Sequence, residues 1–172
     1  INGENWQVMR LSRNRNWGHP QLAAWVERFA RDAQSLEGWS GLLVGDMSQP
    51  RGGPMLTGHA SHQIGLDADI WLRPMPKHVL TTQEREELSS TNMVRADRLD
   101  VDPTVWTEGH LSVIRTAASD DQVQRIFVNA AMEFPLPHEP AHQAASRNKQ
   151  AIEEVVRELA AAVGVPDPAA LA

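Results

Sequence analysis

Residues 50–71 gather more candidate metal ligands than any other stretch of this chain, and they set them among glycines and apolar residues. His59 and His62 lie three residues apart, and Asp67 and Asp69 follow in an otherwise apolar run. Neutral imidazole and carboxylate groups are ligands that suit zinc. A fold that uses this stretch to bind a metal must therefore bring imidazole and carboxylate side chains to one point.

The second half of this stretch has the alternation of a β-strand. Apolar side chains alternate with Asp67 and Asp69 over residues 66–71, which predicts a strand with both aspartates on one face. His62 lies seven residues before Asp69, so a regular strand would turn the two side chains to opposite faces. They share a metal only if the chain bends between them, and Gly65 permits such a bend. We therefore expect a glycine-hinged loop that brings histidines over the start of a buried strand.

Two charged residues precede the histidines, and each has two interpretations. Arg51 lies in a glycine-rich loop, where its guanidinium either binds a substrate carboxylate or developing oxyanion, or stabilises the loop. Asp46 ends the apolar run 41–45 and either caps a turn or orients a ligating histidine. The residues by themselves leave these alternatives open.

A family resemblance appears when the motif is taken as a whole. Residues 58–70 read G-H-A-S-H-Q-I-G-L-D-A-D-I, and this pattern resembles the signature of penicillin-insensitive murein endopeptidases. They belong to a zinc superfamily that also includes D-Ala-D-Ala dipeptidases and the hedgehog amino-terminal domain. The superfamily core H-x-x-G-x-x-x-D matches His62, Gly65 and Asp69. The resemblance covers roughly residues 5–132, through W-Q-V-M-R-L-S-R-N-R-N-W-G-H-P at 6–20, G-D-M-S-Q-P-R-G-G-P at 45–54 and Q-R-I-F-V-N-A-A at 124–131.

The resemblance implies a cofactor, a substrate and a set of ligands. It implies a periplasmic Zn2+ endopeptidase that hydrolyses the D-alanyl to diaminopimelate cross-links of peptidoglycan. His62 and Asp69 are the expected metal ligands, and His59 is the next, as a ligand or as a group beside the metal or substrate. Asp67 is expected to hydrogen-bond nearby backbone. Two alternatives are a catalytically incomplete relative that binds peptidoglycan or only keeps the fold, and a D,D-dipeptidase or carboxypeptidase.

The third ligand and the catalytic base are open, because similar enzymes take both from a later H-x-H strand and this sequence contains no H-x-H. His138 and His142 have the spacing of H-E-x-x-H zincins, but Pro140 between them disrupts a helix, and a solvated linker is the alternative. Asp97 and Asp100 fall where some family members bind an additional metal, or they are surface loop carboxylates.

The rest of the chain predicts an α+β fold, in which a small antiparallel sheet carries the metal motif and helices flank it. His110 lies on a predicted helix and is expected to be packed or surface-exposed and not a ligand. We expect a peptidase core over 1–132, a proline-rich connector over 133–143, and an amphipathic helix and tail over 144–172. Within the core we expect helices at 20–37, from Thr81 onwards and from Asp102 onwards. We expect a strand or an irregular edge in 1–18, an antiparallel pairing of 41–45 with 66–71, and a central strand at 125–129.

Composition excludes several classes of protein. A net charge of −6 argues against nucleic acid as the main partner. The strongest basic cluster, Arg10, Arg13 and Arg15, either steers an anionic polymer or is a solvated surface. The absence of cysteine excludes thiolate zinc sites and disulfides, and no apolar run is long enough to span a bilayer. A first residue of Ile1 in place of methionine predicts a processed or trimmed chain.

Overall fold

A computed structural model describes residues 2–55, 61–97 and 100–128, and the chain divides into compact units of residues 1–113 and 114–172. No helix of these described ranges is long and apolar enough to cross a membrane. The predicted α+β class is confirmed, whereas the predicted boundary after residue 132 and the helix within 144–172 lie outside the described residues. The elements are β1 (Trp6–Val8), a 3-10 turn (Leu11–Arg13), α1 (Pro20–Ala33), β2 (Leu42–Val44), β3 (Ile70–Trp71), α2 (Thr82–Glu87) and α3 (Glu108–Ala118).

The sheet is mixed, which corrects the prediction of an antiparallel sheet. Its strand order is β1-β2-β3, with β1 parallel to β2 and β2 antiparallel to β3. The parallel pair follows from the connection, because α1 crosses over between β1 and β2, and a crossover of this kind returns the chain in the same direction. The predicted pairing of the β2 segment with the motif strand is confirmed, in the register Leu43 to Trp71 and Val44 to Ile70.

The motif strand is shorter than predicted, because only Ile70 and Trp71 of residues 66–71 are in regular strand. Just before them the pairing is irregular. The Gly45 amide donates to the Asp69 carbonyl at 2.7 Å, while the Asp69 amide donates to the Asp46 carbonyl at 2.9 Å. Two residues of one strand therefore oppose one residue of the other, which is the arrangement of a β-bulge, and bulges redirect side chains at the ends of strands.

Helix starts were predicted with mixed success. α1 begins at Pro20 as expected, and α2 has the predicted capping box, with Thr81 and Glu84 bonded reciprocally. The helix predicted from Asp102 begins instead at Glu108. The Asp102 carboxylate accepts from the amide and the hydroxyl of Thr104 and closes a local turn, which competes with helix formation.

The prediction of a strand at 125–129 is wrong for residues 125–128, which are the part that the structure describes. Residues 125–128 belong to no strand, and 73% of Phe127 is exposed. An apolar, β-branched run has the propensity for a strand, but propensity alone does not supply a pairing partner, so such a run is ambiguous in sequence.

The core beneath the sheet contains one buried charge that the sequence did not single out. Met9, Leu43, Met75 and Leu80 pack together there. Arg85 of α2 is only 4% exposed. Its guanidinium donates to the carbonyls of Leu80 and Val8 and to the side-chain oxygen of Gln7, at 2.9–3.1 Å. Arg85 thereby ties α2 to β1 through bonds that satisfy buried acceptors.

His110 is a packed histidine, as predicted. Its ring stacks on Trp106 and meets the edge of Trp39, and its Nδ1 accepts from the backbone amide of Thr107. A hydrogen bond to the Leu72 carbonyl connects it to the residue that follows β3. Burial lowers the pKa of His110, and the hydrogen bond to the Leu72 carbonyl opposes this to a smaller extent.

The lowered pKa of His110 predicts a loss of stability in mild acid. The unfolded chain binds a proton at this ring at a higher pH than the folded chain does, so the free energy of unfolding falls as pH drops below the ordinary histidine pKa of about 6.5. The slope from one proton is at most about 1.4 kcal/mol per pH unit. Urea unfolding at pH 7.5 and 5.5 measures it, and the His110→Gln variant should show a shallower pH dependence. An unchanged slope in that variant would contradict the assignment.

Candidate metal centre

His62 and Asp69 meet, although regular strand geometry would keep them apart. The Nε2 atom of His62 lies 3.1 Å from the Oδ1 atom of Asp69. The histidine is buried, with 3% of its side chain exposed, whereas 47% of the Asp69 side chain is exposed. The pair therefore has a fixed imidazole on the protein side and a carboxylate that faces solvent.

The chain bends between the two residues, as predicted from the glycine. Gly65 has a φ of 70°, and its carbonyl accepts from the His19 amide at 2.8 Å. A β-carbon at Gly65 would lie 3.0 Å from that amide nitrogen, so both the conformation and the close approach favour glycine. His62 itself has a φ of 61°, in the left-handed region that a residue with a β-carbon seldom occupies.

Asp67 binds the backbone of His62 and lies beside its ring. Each carboxylate oxygen of Asp67 accepts from the backbone amide of His62 at 2.9 Å, which confirms that Asp67 hydrogen-bonds nearby backbone. Its Oδ2 atom also lies 3.2 Å from Nδ1 of the imidazole. Without a metal, the contact of Nε2 with the Asp69 carboxylate calls for the proton on Nε2. A metal bound at Nε2 would displace that proton and leave Nδ1 protonated, beside the Asp67 carboxylate.

The separation of Nε2 and Oδ1 suits two ligands of one metal ion. Zinc binds nitrogen and oxygen ligands at about 2.0–2.2 Å in tetrahedral geometry, which sets neighbouring ligand atoms about 3.3 Å apart. The observed 3.1 Å is close to this value. A buried imidazole whose other nitrogen faces a carboxylate is the arrangement that metal-bound histidines usually have. The residues present therefore fit a zinc ion, and they form a pair, since the described ranges contain no group of three potential ligands.

The loop around Arg51 lies against the same segment. The Gly53 amide donates to the Gln63 carbonyl at 2.7 Å, and a β-carbon at Gly52 would lie 2.5 Å from that carbonyl oxygen. The Gln49 side chain donates to the Gly52 carbonyl at 2.9 Å and closes the loop. Arg51 is exposed at this turn. It precedes Gly52 and Gly53, whose backbone contacts the carbonyl of Gln63, the residue after His62.

The other candidates divide into those outside the described residues and those with local partners. His59, His138 and His142 lie outside the described residues. The Asp97 carboxylate binds the Arg95 guanidinium at 2.9 Å, and the Asp100 carboxylate accepts from the Val101 amide at 2.7 Å. These contacts favour the interpretation of both aspartates as surface loop carboxylates.

Asp46 has partners that neither sequence interpretation contained. It is 3% exposed, and its Oδ2 atom lies 3.0 Å from Nη1 of Arg15 and 3.2 Å from Nη1 of Arg13. Its backbone carbonyl accepts from the Asp69 amide, so the carboxylate that binds both arginines belongs to the segment paired with Asp69. The arginine cluster was visible in the sequence, but its buried carboxylate, more than thirty residues away, was not.

Comparison with known proteins identifies the family. Residues 1–149 match the profile of the peptidase M74 family, the penicillin-insensitive murein endopeptidases. The chain belongs to this family. The designation M74 marks a metallopeptidase family, in agreement with a zinc-compatible pair of ligands.

Members of the family from three bacteria carry the name penicillin-insensitive murein endopeptidase. The chain is 43% identical to the Haemophilus influenzae protein over 136 residues, 78% of this chain and 46% of that protein. It is 41% identical to the Pectobacterium atrosepticum protein over 80% of this chain and 48% of that protein, and to an Escherichia coli protein over 79% and 49%. The chain thus spans about half the length of the curated relatives it matches.

Proposed function

We propose that this chain is a zinc-dependent endopeptidase that hydrolyses the D-alanyl to diaminopimelate cross-links of peptidoglycan in the periplasm. The observation that carries the proposal is the 3.1 Å contact between Nε2 of His62 and Oδ1 of Asp69, in a member of a murein endopeptidase family. Zinc supplies the Lewis acidity that activates water and polarises an amide carbonyl.

The protein's own residues have distinct roles in this proposal. His62 and Asp69 bind the metal, and Asp67 orients the imidazole of His62 from its far side. His59, which lies outside the described residues, is proposed as a further ligand on the strength of the sequence motif alone. The half-exposed carboxylate of Asp69 leaves the centre accessible to substrate from solvent.

Arg51 is proposed to bind substrate. Its loop is closed by Gln49 and bonded to the carbonyl of Gln63, the residue after His62, so an exposed guanidinium is carried by a turn that contacts the motif segment. A guanidinium in that position can bind a peptide carboxylate or an oxyanion through paired N–H donors.

Cleavage of defined cross-linked muropeptides tests the function. The metal-loaded chain should convert peptide-linked dimers to monomers, measured by mass spectrometry. A chelator should abolish the reaction, and added Zn2+ should restore it. Release of free D-alanyl-D-alanine would indicate a D,D-dipeptidase instead. Intact dimers in the presence of a stoichiometric zinc-bound chain would contradict the endopeptidase and favour the catalytically incomplete relative.

A further inference from the structure

The three arginines of residues 10–15 lie on a short segment beside the carboxylates of Asp46 and Glu86. Asp46 accepts from Arg13 and Arg15, and Glu86 accepts from the amide and hydroxyl of Ser12 between them. The Ser12 hydrogen bonds, and then Arg10 and Arg13, hold the pKa of Glu86 below its usual value. Three guanidinium groups thus gather beside two carboxylates, on a chain whose total charge is −6.

One guanidinium already suffices to balance the buried Asp46 carboxylate, and Arg15 is the better buried of the two. The Arg15 side chain is 18% exposed and lies 3.0 Å from Asp46, whereas the Arg13 side chain is 48% exposed and lies 3.2 Å away. A guanidinium has five N–H donors, and Asp46 engages Nη1 of Arg13. Arg13 thus combines a fixed position with a half-exposed charged group.

Paired backbone segments connect the Arg13 region to the candidate metal centre. Residues 15–17 pair with residues 47–48, since the Met47 amide donates to the Arg15 carbonyl and Trp17 exchanges two backbone bonds with Ser48. The Asp46 carbonyl in turn accepts from the Asp69 amide. These are three successive backbone segments, and segments paired in this way lie about 4.8 Å apart. The Arg13 guanidinium that Asp46 binds therefore belongs to the second backbone segment from that of Asp69.

The segment that carries Arg13 is held in one conformation. Arg10 and Asn14, at either end of the 3-10 turn, both have left-handed backbone, with φ values of 54° and 51°. Ser12 anchors the turn to Glu86 of α2 through two 2.8 Å bonds. Trp17 is 49% exposed, and its indole N–H donates to Asn14 at 2.8 Å, so its ring is also fixed at this surface. Binding groups fixed in advance lose little conformational entropy when a ligand binds.

We propose that Arg13, supported by Arg15 and Asp46, binds a carboxylate of the substrate peptide beside the candidate metal centre. This inference rests on the proposed function for the identity of the peptide. A diaminopimelate residue acylated by D-alanine carries a carboxylate on the carbon next to the scissile amide nitrogen. That carboxylate has the charge and the planar shape that a guanidinium binds best. The inference assigns a second arginine contact, separate from the proposed contact of Arg51.

A matched pair of ligands tests the inference. The zinc-loaded full chain is titrated with a cross-linked muropeptide dimer whose carboxylate next to the scissile amide is free, and with the same dimer carrying a carboxamide there. The parent chain should bind the carboxylate form about tenfold more tightly, since a hydrogen bond to a charged group is worth this much or more. Arg13→Gln should reduce the preference to about twofold or less, and Arg13→Lys should keep part of it.

Lys77→Gln is the matched control, because it removes one exposed positive charge at a different place. Lys77 follows Met75, whose amide donates to the Gly41 carbonyl just before β2, whereas Asp46 lies after the end of β2. It should keep the full preference. An Arg13→Gln chain with the same preference as the parent would overturn the inference, even if it still cleaves peptidoglycan. If the parent cleaves neither dimer, the proposed function fails, and the binding preference still decides the role of Arg13. Should Arg13→Gln fail to fold, Arg13→Lys tests the role of Arg13 instead. Lysine lacks the paired N–H donors of arginine, so this variant must prefer the carboxylate dimer less strongly than the parent does, and an unchanged preference would overturn the inference.

Discussion

His62→Ala is expected to remove tight metal binding from this chain. Zinc sites in small domains contribute on the order of 10–16 kcal/mol over four ligands, so the loss of one ligand should weaken binding by a hundredfold to a thousandfold. The 3.1 Å contact with Asp69 depends on the Nε2 atom that this substitution deletes. Zinc content after dialysis against a weak chelator, measured by elemental mass spectrometry, should fall from near one ion per chain to near zero. Cleavage of cross-linked muropeptides should be lost with it.

His78→Ala is the matched control for this experiment. His78 is another histidine of the same unit, with 65% of its side chain exposed and a 3.6 Å contact to Glu84 on α2. Its removal should leave the zinc content unchanged. Because His62 is buried, circular dichroism and a thermal melt of both variants must show a folded chain. A folded His62→Ala chain that retains zinc as well as the parent would refute the assignment of His62 as a ligand.

Asp67→Asn is expected to weaken metal binding about tenfold to a hundredfold, as is typical when the partner of a metal-bound histidine is changed. Both oxygens of Asp67 contact the His62 amide, and one faces Nδ1 of the ring. The asparagine side chain has N–H donors, which would face either the backbone N–H of His62 or the Nδ1 atom of its ring. An N–H that donates to Nδ1 favours the tautomer with the proton on Nε2, and Nε2 then has no lone pair for a cation. Competition with a chelator of known affinity measures the change.

The tautomer gives a readout that a purely structural role of Asp67 would not alter. Nitrogen chemical shifts of the His62 ring should indicate Nε2–H beside Asp69 in the metal-free parent, and Nδ1–H with Nε2 bound to the ion in the zinc-loaded parent. Asp67→Asn should reduce the Nδ1–H form at the same zinc concentration. Asp121→Asn, at an exposed position, should change neither the shifts nor the affinity. Unchanged affinity and unchanged ring shifts in a folded Asp67→Asn chain would show that Asp67 does not orient His62.

Features that depend on neighbouring residues were readable from the sequence. The capping box of Thr81 and Glu84 lies within a single turn, so the spacing alone predicted it. The bend between His62 and Asp69 was predicted at Gly65, because only a glycine there has ready access to the φ of 70° that the structure has. One long-range feature, the pairing of β2 with β3, was also predicted, although the bulge at Gly45 and Asp46 was not.

Features that join distant residues were decided by the tertiary structure. The parallel pairing of β1 with β2 depends on the α1 crossover, and side chains alternate between the two faces of a strand in either direction of pairing. Arg85 binds the carbonyl of Val8, and Asp46 binds Arg13 and Arg15, across separations of 77, 33 and 31 residues. A charged residue looks the same in sequence whether it is solvated or buried against a partner. By itself the sequence determined the ligand types, the hinge and the family resemblance, whereas burial and long-range pairing determined which charges surround the candidate centre.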